Sequence, residues 1–212
     1  VIKSSFSLVF LVLWSVGFGL AQESNPDYSL EKGEFFADFG LELQDRNLAE
    51  GTFLGDTYDI SLGYRISIAI GLAGYPGLGW YGGGQKAKVL DNRFLGGYFT
   101  DAVLGGAGVF IFHSVPMGKR LVFRPELGFG NFRTIHGVSP ARFILNYGHF
   151  FGKLGIQYPI VEISENFSLS LSLNAAYSLY RGSSIIINPE DQDYIQRSNG
   201  FLLSTGIQLK IH

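Results

Sequence analysis

The chain contains no cysteine. Disulfides, thiolate catalysis and cysteine-based metal sites are therefore excluded. Charge is also scarce: Asp, Glu, Lys and Arg make up 16 % of 212 residues, against about 25 % in a typical soluble domain. The hydrophobic share of 46 % excludes a disordered chain. A net charge of −2 gives no electrostatic footprint for nucleic acid. Long apolar runs are missing too, with one exception near the N-terminus, so any further passage through a membrane must be made by strands.

That exception is Phe6–Leu20. It follows Lys3 and ends in Gly19-Leu20-Ala21 before Gln22. A basic residue, a short apolar stretch and a small-x-small site form the pattern of a cleaved export signal, expected over residues 1–21. The polar stretch 22–32 reads as a short periplasmic leader.

What remains is dominated by alternation. In Asn166–Tyr180, Phe167, Leu169, Leu171, Leu173 and Tyr177 alternate with Ser168, Ser170, Ser172, Asn174 and Ser178. Successive side chains of a strand point to opposite faces, so one face is bulky and apolar and the other small and uncharged. A small polar row suits the crowded inside of a narrow barrel, with the leucine row toward lipid.

Similar patterns predict strands at Gly33–Gln44, Asp101–Ser114, Arg120–Arg133, Ala141–Tyr158 and Gly200–His212. Even-numbered residues from Tyr58 to Trp80 are nearly all apolar. At about 3.3 Å per residue this is too long for one strand, so a hairpin is expected within it, near Arg65–Ser67. Pro125 predicts a bulge or local break. The alternation slips near Gly148, predicting a bulge there. Tyr81–Thr100, opening with Gly82-Gly83-Gly84, and Arg181–Asn199 read as long loops. Phe35, Tyr58, Trp80, Tyr81, Tyr158, Phe167 and Tyr180 fall near expected strand ends, as interfacial girdles would.

The count is eight strands, with short and longer connections in alternation. The expected fold is all-β, an eight-stranded antiparallel up-and-down transmembrane β-barrel over residues 33–212. This architecture resembles the small bacterial outer-membrane barrels of the OmpA/OmpX type. The chain departs from that group in ending on Leu209-Lys210-Ile211-His212 rather than on an aromatic residue. The resemblance implies a bacterial outer-membrane location, lipid and the barrel-assembly machinery as partners, and a monomer.

Eight charged residues fall on expected inward faces: Asp38, Glu42, Asp59, Arg65, Arg124, Glu126, Lys153 and Lys210. Their signs balance, which predicts a lattice of ion pairs plugging the lumen; a gated conductance path is the alternative. No cofactor, metal or catalytic residue is assigned. His113-Ser114 would point to opposite faces of a strand, and His136 and His149 read as wall or loop residues. Glu190, Asp191 and Asp193 lack the spacing of a calcium loop, and Gly82–Lys86 lacks a phosphate-loop pattern. The expected function is a non-enzymatic barrel displaying surface loops for adhesion, ligand contact or envelope integrity, with the loop ligand unassigned. The other readings are a narrow channel and a soluble lipocalin-like carrier with the apolar face inward.

Overall fold

The computed structural model describes residues 32–212 apart from 96, 118–120, 138–141, 165 and 183–190. The expected signal segment, most of the leader, Ile185–Ile187 and Glu190 lie outside the described residues. The elements are β1 (Phe35–Leu48), α1 (Phe53–Thr57), β2 (Tyr58–Leu72), β3 (Gly77–Val89), β4 (Asp101–Phe112), β5 (Val115–Met117), β6 (Leu121–His136), β7 (Phe143–Ser164), β8 (Phe167–Arg181), α2 (Gln192–Gln196) and β9 (Arg197–Ile211).

All pairings are antiparallel. Strands pair in sequence order, β4 and β5 both against β6, and β1 closes the ring against β9, as in Phe39 opposite Leu209. β4 and β5 are two parts of one barrel strand. Phe112 faces Glu126 and Val115 faces Phe123, so the register runs on unbroken between them. The gap, His113-Ser114, lies opposite Pro125. His113 N donates to the Pro125 carbonyl at 3.2 Å, and Pro125 has no N–H to return the bond. The expected local break is thus present, expressed on the partner strand and without a bulge. The result is a ring of eight strands.

Closure decides which face is inside. Leu41, Ile68, Trp80, Leu127, Leu154 and Ile207 are exposed on the outer wall, whereas Asp38, Glu42, Arg65, Arg124, Glu126 and Lys153 are buried within. This is the inverse of a water-soluble carrier, whose exterior must be polar, and it rules out the lipocalin-like arrangement. The serine row behaves as read: Ser168, Ser170, Ser172, Asn174 and Ser178 are buried in the lumen.

Four features differ from the sequence reading. The β2–β3 hairpin lies at residues 73–76, not at Arg65–Ser67. Gly74 adopts φ +79°, a left-handed conformation that suits glycine, and Tyr75 N closes the turn on the Leu72 carbonyl at 3.0 Å. A four-residue connection keeps even residues on the same face before and after it, so the alternation carried no mark of the turn.

Second, Gly82-Gly83-Gly84 belongs to β3 rather than to a loop, and pairs with Ala107, Gly106 and Gly105. A side chain at Gly83 would collide with the Tyr64 backbone. Third, β7 has no bulge at Gly148, which pairs in register with Asn131. Its inward face runs unbroken through Leu145, Tyr147, His149, Phe151 and Lys153. The apparent slip arises because the upper lumen is itself apolar. Register shifts occur instead at Pro159/Val161 and Glu162/Ser164.

Fourth, three of the expected girdle aromatics, Tyr58, Tyr81 and Tyr180, are buried inside the barrel, while Phe35, Trp80 and Phe167 face out.

Candidate functional site

The short turns and the ends of β1 and β9 that lead to the termini lie at one end of the barrel. The ends of β1, β3, β6 and β8 that lead into the longer connections, with α1 and α2, lie at the other. Between the two ends the lumen is layered.

The middle layer is a charge cluster. Glu126 is its hub: it accepts from Arg65 at 3.1 Å and from Lys153 at 2.9 Å, and lies 3.4 Å from Arg124 Nε. Lys153 also donates to Glu42 at 2.9 Å, and Arg124 pairs with Asp38. Neutral groups complete the network. Ser204 donates to Glu42 at 2.8 Å and Gln157 to Gln208 at 2.5 Å. The three carboxylates and three cations are each at most 5 % exposed. Buried charges are retained only when paired and hydrogen-bonded, and here the pairs span the barrel, joining β1, β2, β6 and β7.

Six of the eight residues expected in the lattice therefore meet. Lys210 sits apart, its Nζ 4.9 Å from the centre of the Phe36 ring. Asp59 is not in the lumen. β2 carries an extra residue against β3 between Ile60 and Gly63, and this bulge reverses the phase of the strand. Below it odd residues such as Arg65 point in; above it Tyr58 points in and Asp59 out, opposite Lys88 in the register.

Above the charges lies an aromatic layer. His149 bonds through Nδ1 to the Tyr81 hydroxyl at 3.0 Å and through Nε2 to Ser178 at 3.1 Å, and stacks on Tyr180 at 4.9 Å. Nearer the mouth, His136 bonds through Nε2 to the Tyr58 hydroxyl at 2.8 Å and through Nδ1 to the Phe143 carbonyl at 3.1 Å. Arg46, two residues beyond the expected end of the first strand at Gln44, extends into the lumen with its guanidinium 5.0 Å from the Phe132 ring.

The mouth is roofed. Phe53 and Leu54 of α1, Leu95, and Ile195 of α2 are at most 1 % exposed and pack on Leu104, Phe132, Leu145 and Tyr147 of the wall. Tyr194 of α2 donates to Asp56 of α1 at 2.9 Å. Burial and the Asp56 carboxylate push the Tyr194 hydroxyl up to about 12. Asn92 grips the backbone of Phe99 twice, at 2.8 and 3.0 Å. In the same loop, hydrogen bonds from Arg93 hold the Asp91 carboxyl below its ordinary range.

His113 Nδ1 and Ser114 Oγ both lack a hydrogen-bond partner, so they form no base–nucleophile pair. Lys86 and Lys88 project from the exposed face of β3 rather than from a loop.

An apolar exterior, a charge-paired lumen and an even number of antiparallel strands define a small transmembrane β-barrel of the outer-membrane type. No protein-family model and no curated protein sequence matches the chain. Among solved structures, Neisserial surface protein A (NspA) superposes with a TM-score of 0.53 at 12 % identity, over 84 % of this chain and 98 % of that one. Ail of Yersinia pestis, determined with the heparin analogue sucrose octasulfate, gives 0.48 at 11 % identity, over 85 % and 100 %. The N-terminal barrel domain of Pseudomonas aeruginosa OprF gives 0.48 at 12 %, over 85 % and 100 %. The likeness to NspA is one of fold.

Proposed function

We propose that this protein is a non-enzymatic monomeric barrel of the bacterial outer membrane that holds a structured cap at the cell surface, for adhesion, ligand contact or envelope integrity. The double closure of the lumen carries this reading. The charge cluster occupies the middle and the roof of Phe53, Leu54, Leu95 and Ile195 covers the mouth. A channel needs a wet path, whereas here the segments over the mouth are packed down as a lid and their outer surface is what the protein presents. Tyr98, at 85 % exposure, and Leu90, at 64 %, stand on that surface. Loops held by a rigid scaffold are where binding groups usually sit. Lipid is the partner of the apolar belt, and the barrel-assembly machinery is the partner during insertion.

The absence of native cysteine makes the test direct. Tyr98→Cys should react with a membrane-impermeant maleimide on intact cells. Tyr75→Cys, in the turn at the opposite end, should react only after the outer membrane is permeabilised. The reverse pattern would overturn the orientation, and recovery of the protein in the soluble periplasmic fraction without detergent would overturn the membrane assignment. In planar bilayers the purified barrel should show no large, stable open state; frequent steps of porin size would establish the channel instead.

A further inference from the structure

Between the charge cluster and the roof lies a cavity of about 40 Å³. That is roughly three times the space one water requires. Gly83, Gly84, Gly105 and Gly106 of β3 and β4 line one side. Arg46, Arg65 and Gln85 line it as well.

Four buried nitrogen atoms are left over on the side chains of Arg46, Arg65 and Gln85. Arg46 Nε and Nη1, Arg65 Nε and Gln85 Nε2 are buried and make no hydrogen bond. Each is a donor, and none can accept. Tyr81, His149 and Ser178 of the lining bond to one another. Arg65 and Gln85 are only 5 % and 7 % exposed.

The charges lean the same way. Asp38, Glu42 and Glu126 are matched by Arg65, Arg124 and Lys153. Among the described residues no carboxylate lies within ion-pair distance of Arg46, so its charge is in excess. Stacking near Phe132 and Tyr180, at 5.0 and 5.9 Å, holds the guanidinium in place without neutralising it.

We propose that this cavity is a seat for a small monovalent anion of halide size, held between Arg46 and Arg65 with Gln85 as a third donor. A halide accepts N–H bonds and donates none, which suits the unpartnered donors of Arg46, Arg65 and Gln85. It also supplies the negative charge the layer lacks. Water would satisfy the donors but leave Arg46 uncompensated. The site lies below the roof.

The test uses the full barrel refolded in lipid nanodiscs, in chloride or in gluconate at equal ionic strength. Gluconate is too large for the cavity. The unfolding midpoint should be higher in chloride, and the difference should vanish in Arg46→Gln, which keeps a donor but removes the charge. Independently, wild-type crystals grown in sodium bromide should show an anomalous peak in the cavity, beside Arg46 and Arg65. The proposal is overturned if the wild-type midpoint is the same in both salts, if Arg46→Gln keeps the chloride effect, or if the cavity contains only water while bromide is ordered elsewhere. The wild-type crystal decides the matter even if Arg46→Gln does not fold.

Discussion

Glu126 and Lys153 stand directly opposite each other on β6 and β7, and their side chains meet in the lumen at 2.9 Å. The backbone register thus places one partner of the charge cluster against another before any side chain is arranged. Glu126 then reaches across the barrel to Arg65 on β2.

Because Glu126 touches all three cations, its removal leaves the most uncompensated charge. Glu126→Gln should destabilise the barrel by about 3–5 kcal/mol, the cost of breaking a buried ion pair from one side. Asp59→Asn, on the outer face, should leave stability unchanged. Urea unfolding in lipid bilayers measures both, and equal effects would contradict the placement of Asp59 outside.

Leu171 is half-exposed on the lipid face, whereas Ser172 beside it is buried in the lumen with its hydroxyl unpartnered. Leu171→Arg should cost about 2–4 kcal/mol, as cations do on the lipid face near mid-bilayer. Ser172→Ala removes an unsatisfied hydroxyl and should be neutral or slightly stabilising. The same unfolding series compares them, and equal sensitivity would mean the faces are reversed.

The position of the β2–β3 turn can be tested by backbone strain. Gly74→Ala forces a side chain into a left-handed conformation and should cost about 1–2 kcal/mol. Gly148→Ala, where an added methyl meets nothing closer than 3.5 Å, should be tolerated far better. A larger loss at Gly148 in thermal unfolding would place the strain elsewhere.

The tie between Tyr194 and Asp56 should depend on pH. Burial and the carboxylate raise the hydroxyl from 10.0 to about 12. An acid whose folded value is raised contributes stability that is fully present below its unfolded value. The α1–α2 contact should therefore hold up to pH 10 and weaken between about 10 and 12. Phenolate absorbance, as the difference between wild type and Tyr194→Phe, reports this titration. A midpoint near 10 would show that the contact does not form.

How far each feature was legible in the chain follows from the range of the signal that carries it. Alternation is local, because the pleat turns each residue to the face opposite its neighbour. The serine row of β8, the apolar belt and the inward Asp38, Glu42, Arg124 and Glu126 could all be read from it, as could the break enforced by Pro125. Arg46 was legible by the same parity, two residues beyond Gln44, but polar Asp45-Arg46-Asn47 resembled a loop.

Two things escaped local reading. A bulge changes parity without changing composition, so Asp59 kept its place in the pattern and lost it in the barrel. Polarity also assigns inside and outside only where the lumen is polar. Near the mouth, Leu145 and Tyr147 face inward because α1, α2 and Leu95 cover them, and those segments are brought together only when β1 meets β9. The alternating faces were therefore set by the sequence through the geometry of the strand. The pairing of charges, the roof and the donor-lined cavity beneath it were decided by closure, since each depends on residues far apart in the chain.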